Sequence, residues 1–345
     1  MTRGPHPADL PLTGAVYGVG SLPHTDPLEA VALIGRACRD LPFWPQLPAR
    51  AAEEGMIAGA LADVQDLLEP TAPWTWEVRD RAAFLRRVVR PQPADGHTAS
   101  GLAALEARDF EDLAPTARAI KGQVTGPLTL ASSLRLGGQP ALDDDALLRA
   151  LAVRVTWQAS DQVVRLRASG RAVVLVVDEP ILGLLPAARL APDGAAEEAL
   201  LWSLSAVHAA GAGVGLHCCS APPWATLARL PLDLVSFDAT AHLDAMMASA
   251  DGRALAASRW VAWGLIPATA DPRGLDPDAL FAAWLAALPP ELSPAALARR
   301  ALVSASCGLA GLPVARVGPS FQLCEALGAR MRQLAWTDTG AVPAG

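Results

Sequence analysis

The chain has 345 residues, of which 52% are hydrophobic, so it is long enough to bury a sizeable core. A formal net charge of −7 argues against a nucleic-acid-binding surface, which needs clustered basic residues. No apolar run reaches the roughly 18–20 residues of a membrane span, and residues 1–9 do not resemble a secretion signal. We therefore predict a cytoplasmic protein that has neither a nucleic acid nor a membrane as its partner.

Short apolar runs rich in β-branched residues alternate with longer Ala/Leu-rich stretches along the chain. We predict strands at 15–20, 41–46, 119–124, 173–178, 213–218, 233–238, 260–265 and 301–305. We predict helices at 27–40, 144–169, 194–210, 222–229, 277–288 and 293–300. Near-continuous apolar strands that alternate with helices are typical of a parallel sheet covered on both faces.

Eight such strands favour a closed (β/α)8 TIM barrel over an open sheet. We predict one α/β domain over residues 1–345. The connection between the second and third strands, residues 47–116, is far longer than ordinary loops. It contains Trp74 and Trp76, which are able either to stack on a planar ligand or to pack a lid. We interpret 47–116 as an insertion over the mouth of the barrel.

Polar residues fall where the predicted strands end, which is where catalytic groups lie in barrels of this type. The sharpest cluster is His217, Cys219, Asp238 and Cys307. Residues i and i+2 of a strand share a face, so His217 and Cys219 point the same way and Cys218 points away. One imidazole, two thiols and a carboxylate are a donor set that suits tetrahedral Zn²⁺. The alternative is that these are buried core residues, since buried cysteine behaves as a small hydrophobe.

Further candidates follow other strands. Asp178 and Glu179 come directly after the apolar run 173–177 and are predicted to act as catalytic carboxylates. Asp178 is also predicted to bind a substrate ammonium group. The alternative is that this pair caps the next helix. The remaining predicted substrate-binding residues are Gly20, Ser21, Gln46 and Lys121. Gly20 and Ser21 equally suit a tight turn, and Lys121 equally suits an ion pair with a neighbour.

Taken together, these motifs resemble the C-terminal catalytic half of cobalamin-independent methionine synthase, in the barrel superfamily that also contains uroporphyrinogen decarboxylase. The resemblance covers about residues 16–308 and rests on four places. They are 20–23 (Gly-Ser-Leu-Pro), 121–127 (Lys-Gly-Gln-Val-Thr-Gly-Pro), 178–180 (Asp-Glu-Pro), and 217–219 (His-Cys-Cys) taken with 307–309 (Cys-Gly-Leu). The resemblance implies Zn²⁺ held by His217, Cys219 and Cys307, with Asp238 where the family has a glutamate, and it implies a homocysteine-like thiol as the methyl acceptor.

The sequence departs from the family at the positions that bind the folate donor and assist its reaction. Ser133 stands where the family has a folate-stacking tryptophan, and Leu184 and Gln46 stand where it has acidic residues. The histidine expected after the seventh strand is missing. We therefore predict a zinc-dependent S-methyltransferase whose donor is either methyltetrahydrofolate or a methylated corrinoid protein. The alternatives are a non-catalytic zinc- or corrinoid-binding partner protein, or a uroporphyrinogen decarboxylase-like enzyme, which needs an N-terminal arginine cluster.

Overall fold

The structure is a computed structural model that describes residues 10–91 and 96–337. In that part of the chain the strands are β1 (Leu68–Ala72), β2 (Thr75–Val78), β3 (Ala119–Thr125), β4 (Leu134–Leu136), β5 (Gln139–Pro140), β6 (Ala172–Asp178), β7 (Gly213–Cys218), β8 (Leu234–Asp238), β9 (Trp260–Ile266) and β10 (Ala301–Ala305). The helices are α1 (Pro27–Ala37), α2 (Met56–Ala60), α3 (Arg81–Val88), α4 (Ser100–Glu106), α5 (Phe110–Leu113), α6 (Pro127–Ser132), α7 (Asp145–Leu166), α8 (Ala195–Ala209), α9 (Trp224–Arg229), α10 (Ala239–Ala248), α11 (Ala250–Ser258), α12 (Pro277–Ala286), α13 (Pro294–Arg299) and α14 (Val314–Thr337).

The central sheet is curled and parallel, with six strands in the order β10-β9-β8-β7-β6-β3. Helices connect its consecutive strands, as parallel pairing requires. The register places Asp178, the last residue of β6, opposite His217 of β7. These six strands confirm six of the eight predicted ones, and the arrangement is a TIM-like α/β fold.

The predicted strands at 15–20 and 41–46 are wrong as regular strands, because they meet the sheet only at isolated bridges. Pro42 and Pro45 have no N–H group to donate to a ladder. Gly18 lies so close to Phe43 that a Cβ on it would be 2.0 Å from the ring. The segments nevertheless run beside the two edges of the sheet. The parallel bridges join Val16 to Val303, Ser21 to Gln46, and Phe43 to Lys121.

All six predicted helices are present as α1, α7, α8, α9, α12 and α13, each beginning or ending within a few residues of its prediction. Asp26 and Asp144 show why two of them start where they do, since each side chain accepts a hydrogen bond from a backbone N–H of the first turn. The long helix α14 was not predicted. It contains Pro319, and proline is unfavourable inside a helix. One face of α14 is nevertheless buried against the central sheet, and this packing stabilises the helix.

The segment 47–116 has secondary structure of its own. It contributes β1 and β2 to a second, small sheet of order β1-β2-β4-β5, in which β2 pairs in parallel with β4. It also carries α2 to α5. Its placement as an insertion over a barrel mouth stays a prediction, although several of its residues line the cavity described below.

A buried arginine ties this segment to α7. The Arg154 side chain is 1% exposed, and its guanidinium donates hydrogen bonds to Asp63 and to the backbone oxygen of Ala60. A guanidinium at this depth needs such partners, because an unpaired buried charge is costly.

Arg154→Met is therefore expected to lower the free energy of unfolding by about 3–5 kcal/mol, since it leaves Asp63 without its partner. Urea denaturation followed by circular dichroism measures the change. Arg149→Met on the same helix is the control, because the Arg149–Glu198 ion pair is exposed and should contribute at most about 1 kcal/mol. Equal losses in the two variants would contradict the importance of the buried pair.

The two longest helices, α7 with 22 residues and α14 with 24, carry charged side chains along their lengths. None of the helices in the described part of the chain is both long enough and apolar enough to cross a membrane.

Candidate metal centre

Three soft or borderline donors meet at the carboxyl end of the central sheet. His217 is the penultimate residue of β7, Cys219 follows that strand, and Cys307 lies two residues beyond β10. One ligand atom from each residue lies within 4.8 Å of the other two. His217 is 3% exposed, both cysteines are half-buried, and both are free thiols. Residues about 90 positions apart in sequence thus form one compact donor set.

The imidazole of His217 has one ring nitrogen engaged and the other open. Nδ1 lies 2.9 Å from the hydroxyl of Ser236, which is fully buried on β8. Nε2 is buried and has no hydrogen-bond partner. Buried polar atoms are nearly always paired, so an unpaired Nε2 beside two thiols is placed to serve as a metal ligand.

The two thiols differ in their readiness to ionise. A hydrogen bond from Cys219, together with the nearby His217, lowers the pKa of Cys307 to about 4. The same hydrogen bond, with burial, raises the pKa of Cys219. The hydrogen bond and the imidazole therefore favour ionisation of Cys307 over that of Cys219, and a bound cation would favour the thiolate form of both. One imidazole and two such sulfurs are a donor set that fits zinc.

Asp238, the predicted fourth ligand, is placed elsewhere. Its Oδ1 accepts hydrogen bonds from the backbone N–H of Thr240 at 2.9 Å and from its hydroxyl at 2.6 Å, so it caps α10. Within the described residues, the donor group consists of His217, Cys219 and Cys307 without it. Three protein ligands leave one position of a tetrahedral metal for an exogenous group, which is the pattern of catalytic zinc sites.

Cys218 is separated from this group, in the direction that strand alternation predicts. It is fully buried, and its Sγ lies 3.6 Å from the backbone oxygen of Ser220. His217 and Cys219, its neighbours in sequence, belong to the donor cluster, whereas the Cys218 side chain is buried on the opposite face of β7. It therefore offers a matched control for substitutions of the other cysteines.

A cavity of about 210 Å³ opens beside the donor cluster, and His217, Cys219 and Cys307 line it. Three of the predicted substrate-binding residues also line it, namely Ser21, Gln46 and Asp178. Ser21 is fixed there because its backbone oxygen accepts a hydrogen bond from Leu309, 2.8 Å away. A Cβ on Gly308 would lie 2.1 Å from the Ser21 hydroxyl, so this close approach requires glycine.

Asp178 is the carboxylate nearest in register to the donor cluster. It is 7% exposed, and its Oδ1 has no hydrogen-bond partner. Burial raises its pKa to about 6, against the attraction of Lys121 and His217. A buried carboxylate with an open oxygen is suited to a ligand that brings N–H donors or positive charge.

Glu179, predicted as catalytic, does not line this cavity. Its fully buried carboxylate accepts hydrogen bonds from the backbone N–H groups of Leu128 and Thr129 and from the Thr129 hydroxyl, at 2.6–2.9 Å. Burial raises its pKa to about 7 despite these hydrogen bonds. It therefore holds the first turn of α6, and a Cβ on Gly126 would lie 2.2 Å from its Oε1.

Lys121 and Gly20 are also kept away from the cavity lining. The buried Lys121 ammonium donates to the Val19 carbonyl at 2.7 Å and to Gln123 Oε1 at 2.9 Å, and burial lowers its pKa to about 8. Gly20 packs against Gln123, whose side chain lies 3.0 Å from where a Cβ would be. Lys121 and Gly20 therefore lie behind the residues that line the cavity. The hydrogen bond from Lys121 to Val19 joins β3 to the segment 15–20.

The segment 47–116 supplies cavity residues that the sequence analysis did not identify as site residues. They are Pro48, Glu54, Gly55 and Met56, together with Trp74, which was noted only as an aromatic residue of the insertion. Glu54 carried no signal in the sequence, since it sits in no motif and follows another glutamate. Only the fold brings Glu54 to the cavity that His217, Cys219 and Cys307 also line.

The hydroxyl of Ser236 is expected to set which nitrogen of His217 is free. Ser236→Ala should weaken zinc binding about 10–100-fold, because partners of ligating histidines fix ring orientation and tautomer. Competition with a chromophoric chelator measures the affinity. Ser304→Ala is the control, because Ser304 is equally buried on β10 and its hydroxyl has no partner. Unchanged zinc affinity in Ser236→Ala would show that His217 is held by packing alone.

Neither a protein-family model nor a curated protein sequence matches this chain. Among solved structures, it is similar to a B12-independent methionine synthase from Shewanella sp. W3-18-1 in complex with selenomethionine. The match has a TM-score of 0.49 and 12% sequence identity, and it covers 75% of this chain and 71% of the other. At 12% identity this similarity says nothing about the function of the chain, which has to be inferred from the residues of the site.

Proposed function

We propose that the protein is a zinc-dependent S-methyltransferase that transfers a methyl group to a small thiol, with homocysteine as the acceptor and methionine as the product. The observation that carries the proposal is the group of His217, Cys219 and Cys307, which lies at the edge of a small cavity with three ligand atoms within 4.8 Å of one another. A donor set that leaves one coordination position open beside a substrate-sized cavity is arranged for an exchangeable ligand.

His217 Nε2 and the sulfurs of Cys219 and Cys307 would hold the metal. When bound, zinc supplies positive charge that favours the thiolate form of a coordinated substrate thiol, which is otherwise mostly protonated near pH 7. Ser236 keeps the imidazole oriented, and Asp178 accepts hydrogen bonds from the substrate's ammonium group. Ser21 and Gln46 contribute polar groups to the same cavity wall.

The transfer forms an S–CH₃ bond from the thiolate electron pair and breaks the bond between the methyl group and the donor, which keeps that electron pair. A nitrogen leaving group needs a proton to accept it, whereas a corrinoid cobalt does not. Both methyltetrahydrofolate and a methylated corrinoid protein stay open as donors. Among the described cavity residues no second histidine accompanies His217, which favours the corrinoid as the donor.

We further infer that the two bridged segments complete an eight-membered (β/α)8 barrel. The first lies beside β10 through Val16 and Val303, and the second lies beside β3 through Phe43 and Lys121. The bridge between Ser21 and Gln46 joins them to each other. In such a barrel the donor cluster lies at the carboxyl-terminal mouth, and 47–116 is an insertion that covers part of it.

The test is zinc content together with the metal's coordination shell, measured by X-ray absorption as homocysteine is added. We expect about one zinc per chain, which gains a sulfur neighbour and loses an oxygen or nitrogen neighbour. Methyl transfer to homocysteine is then assayed with methyltetrahydrofolate and with methylcobalamin as separate donors. A zinc shell that ignores homocysteine would refute thiol activation and favour the role of a non-catalytic zinc-binding partner protein.

A further inference from the structure

A second open space adjoins the cavity beside the donor cluster, and the proposed chemistry does not yet use it. It is a groove of about 510 Å³, and its described lining residues all lie between positions 48 and 76 of the segment 47–116. They include Pro48, Leu68, Pro70, Trp74 and Trp76, and we call this space the tryptophan groove. Two indole rings and two pyrrolidine rings give it apolar walls, which suit a flat ligand surface.

The tryptophan groove is continuous with the cavity of the donor cluster. Pro48, Gly55 and Trp74 line both spaces. The cavity, at about 210 Å³, has room for a small thiol, so a larger second reactant has to approach it from outside. A ligand that lies in the groove is therefore able to reach over the cavity without displacing the thiol.

Trp74 lies where the two spaces meet, in a conformation that tryptophan rarely adopts. It is the second residue of the two-residue turn between β1 and β2, and its φ is 61°. Glycine or asparagine usually fills such a position, because a Cβ is strained in the left-handed region. The Trp74 side chain is 68% exposed, so burial in the core does not offset this strain. Residues strained in this way cluster at ligand sites, which indicates that the indole serves a ligand.

The backbone that carries Trp74 is firmly placed. Trp76 packs against the hydrophobic core, and its backbone N–H donates to the Ser133 carbonyl at 2.9 Å. The Glu77 carboxylate accepts hydrogen bonds from the backbone N–H groups of Gly137 and Gly138. The turn is therefore fixed to the second sheet, and its position is set before any ligand arrives.

The charges around the two spaces disfavour an anionic donor. Glu53 is the one charged residue among the described residues that line the groove, and the cavity adds Glu54 and Asp178. The described linings of both spaces contain no lysine and no arginine. A folate brings glutamate carboxylates, which would meet like charges here and no cation.

The polar group in the groove suits a neutral amide. Gln65 donates through Nε2 to the Ala58 carbonyl at 3.2 Å, which leaves its Oε1 to accept a hydrogen bond from a ligand. A corrin ring carries neutral amide side chains around its edge, and these offer N–H donors. Apolar walls, one amide acceptor and no cation thus match a corrinoid better than a folate.

We propose that the tryptophan groove binds a methylated corrinoid, with Trp74 packed on the outer part of the corrin ring and the cobalt-bound methyl group over the cavity. This inference rests on the proposed function and deepens it, because it names one donor and the residues that receive it. In the transfer the acceptor thiolate forms the S–C bond and the Co–C bond breaks. The electron pair of that bond stays on the metal, which reduces Co(III) to Co(I), and this leaving group needs no proton.

The experiment measures the Kd of methylcobalamin by equilibrium dialysis, with the corrinoid quantified by its absorption. Trp74→Gly is the test variant, because glycine suits the positive φ and the side chain that it removes is mostly exposed. We expect its Tm to be no lower than that of the parent and its Kd for methylcobalamin to be at least about tenfold higher. Trp202→Ala on α8 is the control, because it removes another exposed indole and should leave the Kd within about twofold.

Several outcomes would overturn the inference. They are absence of methylcobalamin binding to the parent protein, an equal Kd in the parent and in Trp74→Gly, and an equal loss in Trp202→Ala. Methyltetrahydrofolate is dialysed in parallel. If it binds with a dependence on Trp74 and methylcobalamin does not, the groove is a folate site.

Failure of the proposed function gives a different pattern. A zinc shell that ignores homocysteine, together with binding of methylcobalamin that depends on Trp74, would refute thiol activation and leave the groove as a corrinoid site. Zinc that takes up the sulfur of homocysteine, together with full affinity of Trp74→Gly for methylcobalamin, would overturn only the present inference.

Discussion

Cys219→Ser and Cys307→Ser are each expected to lower zinc affinity more than about 100-fold and to abolish methyl transfer to a thiol. Removing a partner of a metal ligand costs about 10–100-fold, and removing a ligand itself costs more. Serine replaces a polarisable thiolate with a hydroxyl that does not ionise near neutral pH. For Cys307 the substitution also removes a group whose pKa is lowered by the hydrogen bond from Cys219 and by His217, which favours the thiolate form that a metal would bind.

The measurement is zinc per chain after dialysis against a buffered chelator, with methyl transfer assayed on the same samples. Cys218→Ala provides the control, because it removes an adjacent sulfur that packs behind β7 beside Ser220. It should keep about one zinc per chain. Retention of full zinc content by Cys307→Ser would mean that the metal, if any, binds elsewhere, and the proposed centre would have to be abandoned.

Asp178→Asn is expected to weaken the binding of homocysteine and at the same time to stabilise the metal-free fold. The carboxylate is buried, and its Oδ1 is unpaired. Its pKa is about 6 in the folded protein, against an ordinary value of 3.8. The folded state therefore binds an extra proton between these values. Stability falls as pH rises through that window, and above pH 6 the ionised group destabilises the fold by on the order of 1–3 kcal/mol.

The neutral amide removes this penalty. We expect the metal-free Asp178→Asn protein to be more stable than its parent at pH 7.5, with the difference shrinking as pH falls and vanishing near pH 4. Denaturant unfolding at several pH values checks this, and calorimetry with homocysteine checks the loss of binding. A variant that is less stable at pH 7.5 would indicate that Lys121 stabilises the carboxylate enough to make Asp178 a structural residue.

The sequence allowed prediction of those parts of the fold that depend on local pattern. The six parallel strands and six helices followed from apolar runs and their spacing, and His217, Cys219 and Cys307 followed from strand ends. The segments at 15–20 and 41–46 looked equally strand-like. Pro42 and Pro45 limit ladder pairing in the second segment, and the close contact between Gly18 and Phe43 joins residues distant in sequence, which a local pattern does not show.

The predicted site residues Asp238, Lys121 and Glu179 lie outside the donor cluster and the cavity lining, for related physical reasons. Asp238 was chosen for its position at the end of β8, but a carboxylate at the start of a helix can accept hydrogen bonds from the free N–H groups of the first turn, and here it does. Lys121 lies on β3 and Glu179 directly follows β6, yet both side chains are hydrogen-bonded to groups outside the cavity lining. Glu54 could not be found from its neighbours in sequence, because its place in the cavity lining depends on where a long connection folds back.

The distance along the chain between the ligands has a consequence for the protein as it is synthesised. His217 and Cys219 leave the ribosome together, but Cys307 is added about 90 residues later. At roughly 5–20 residues per second, the delay is on the order of 5–20 s. During that interval a nascent chain offers only a two-donor chelate, which holds zinc weakly. In the proposed centre, tight capture of zinc would therefore wait until β10 has been made and has docked beside β9, and metal loading would mark the completion of the sheet.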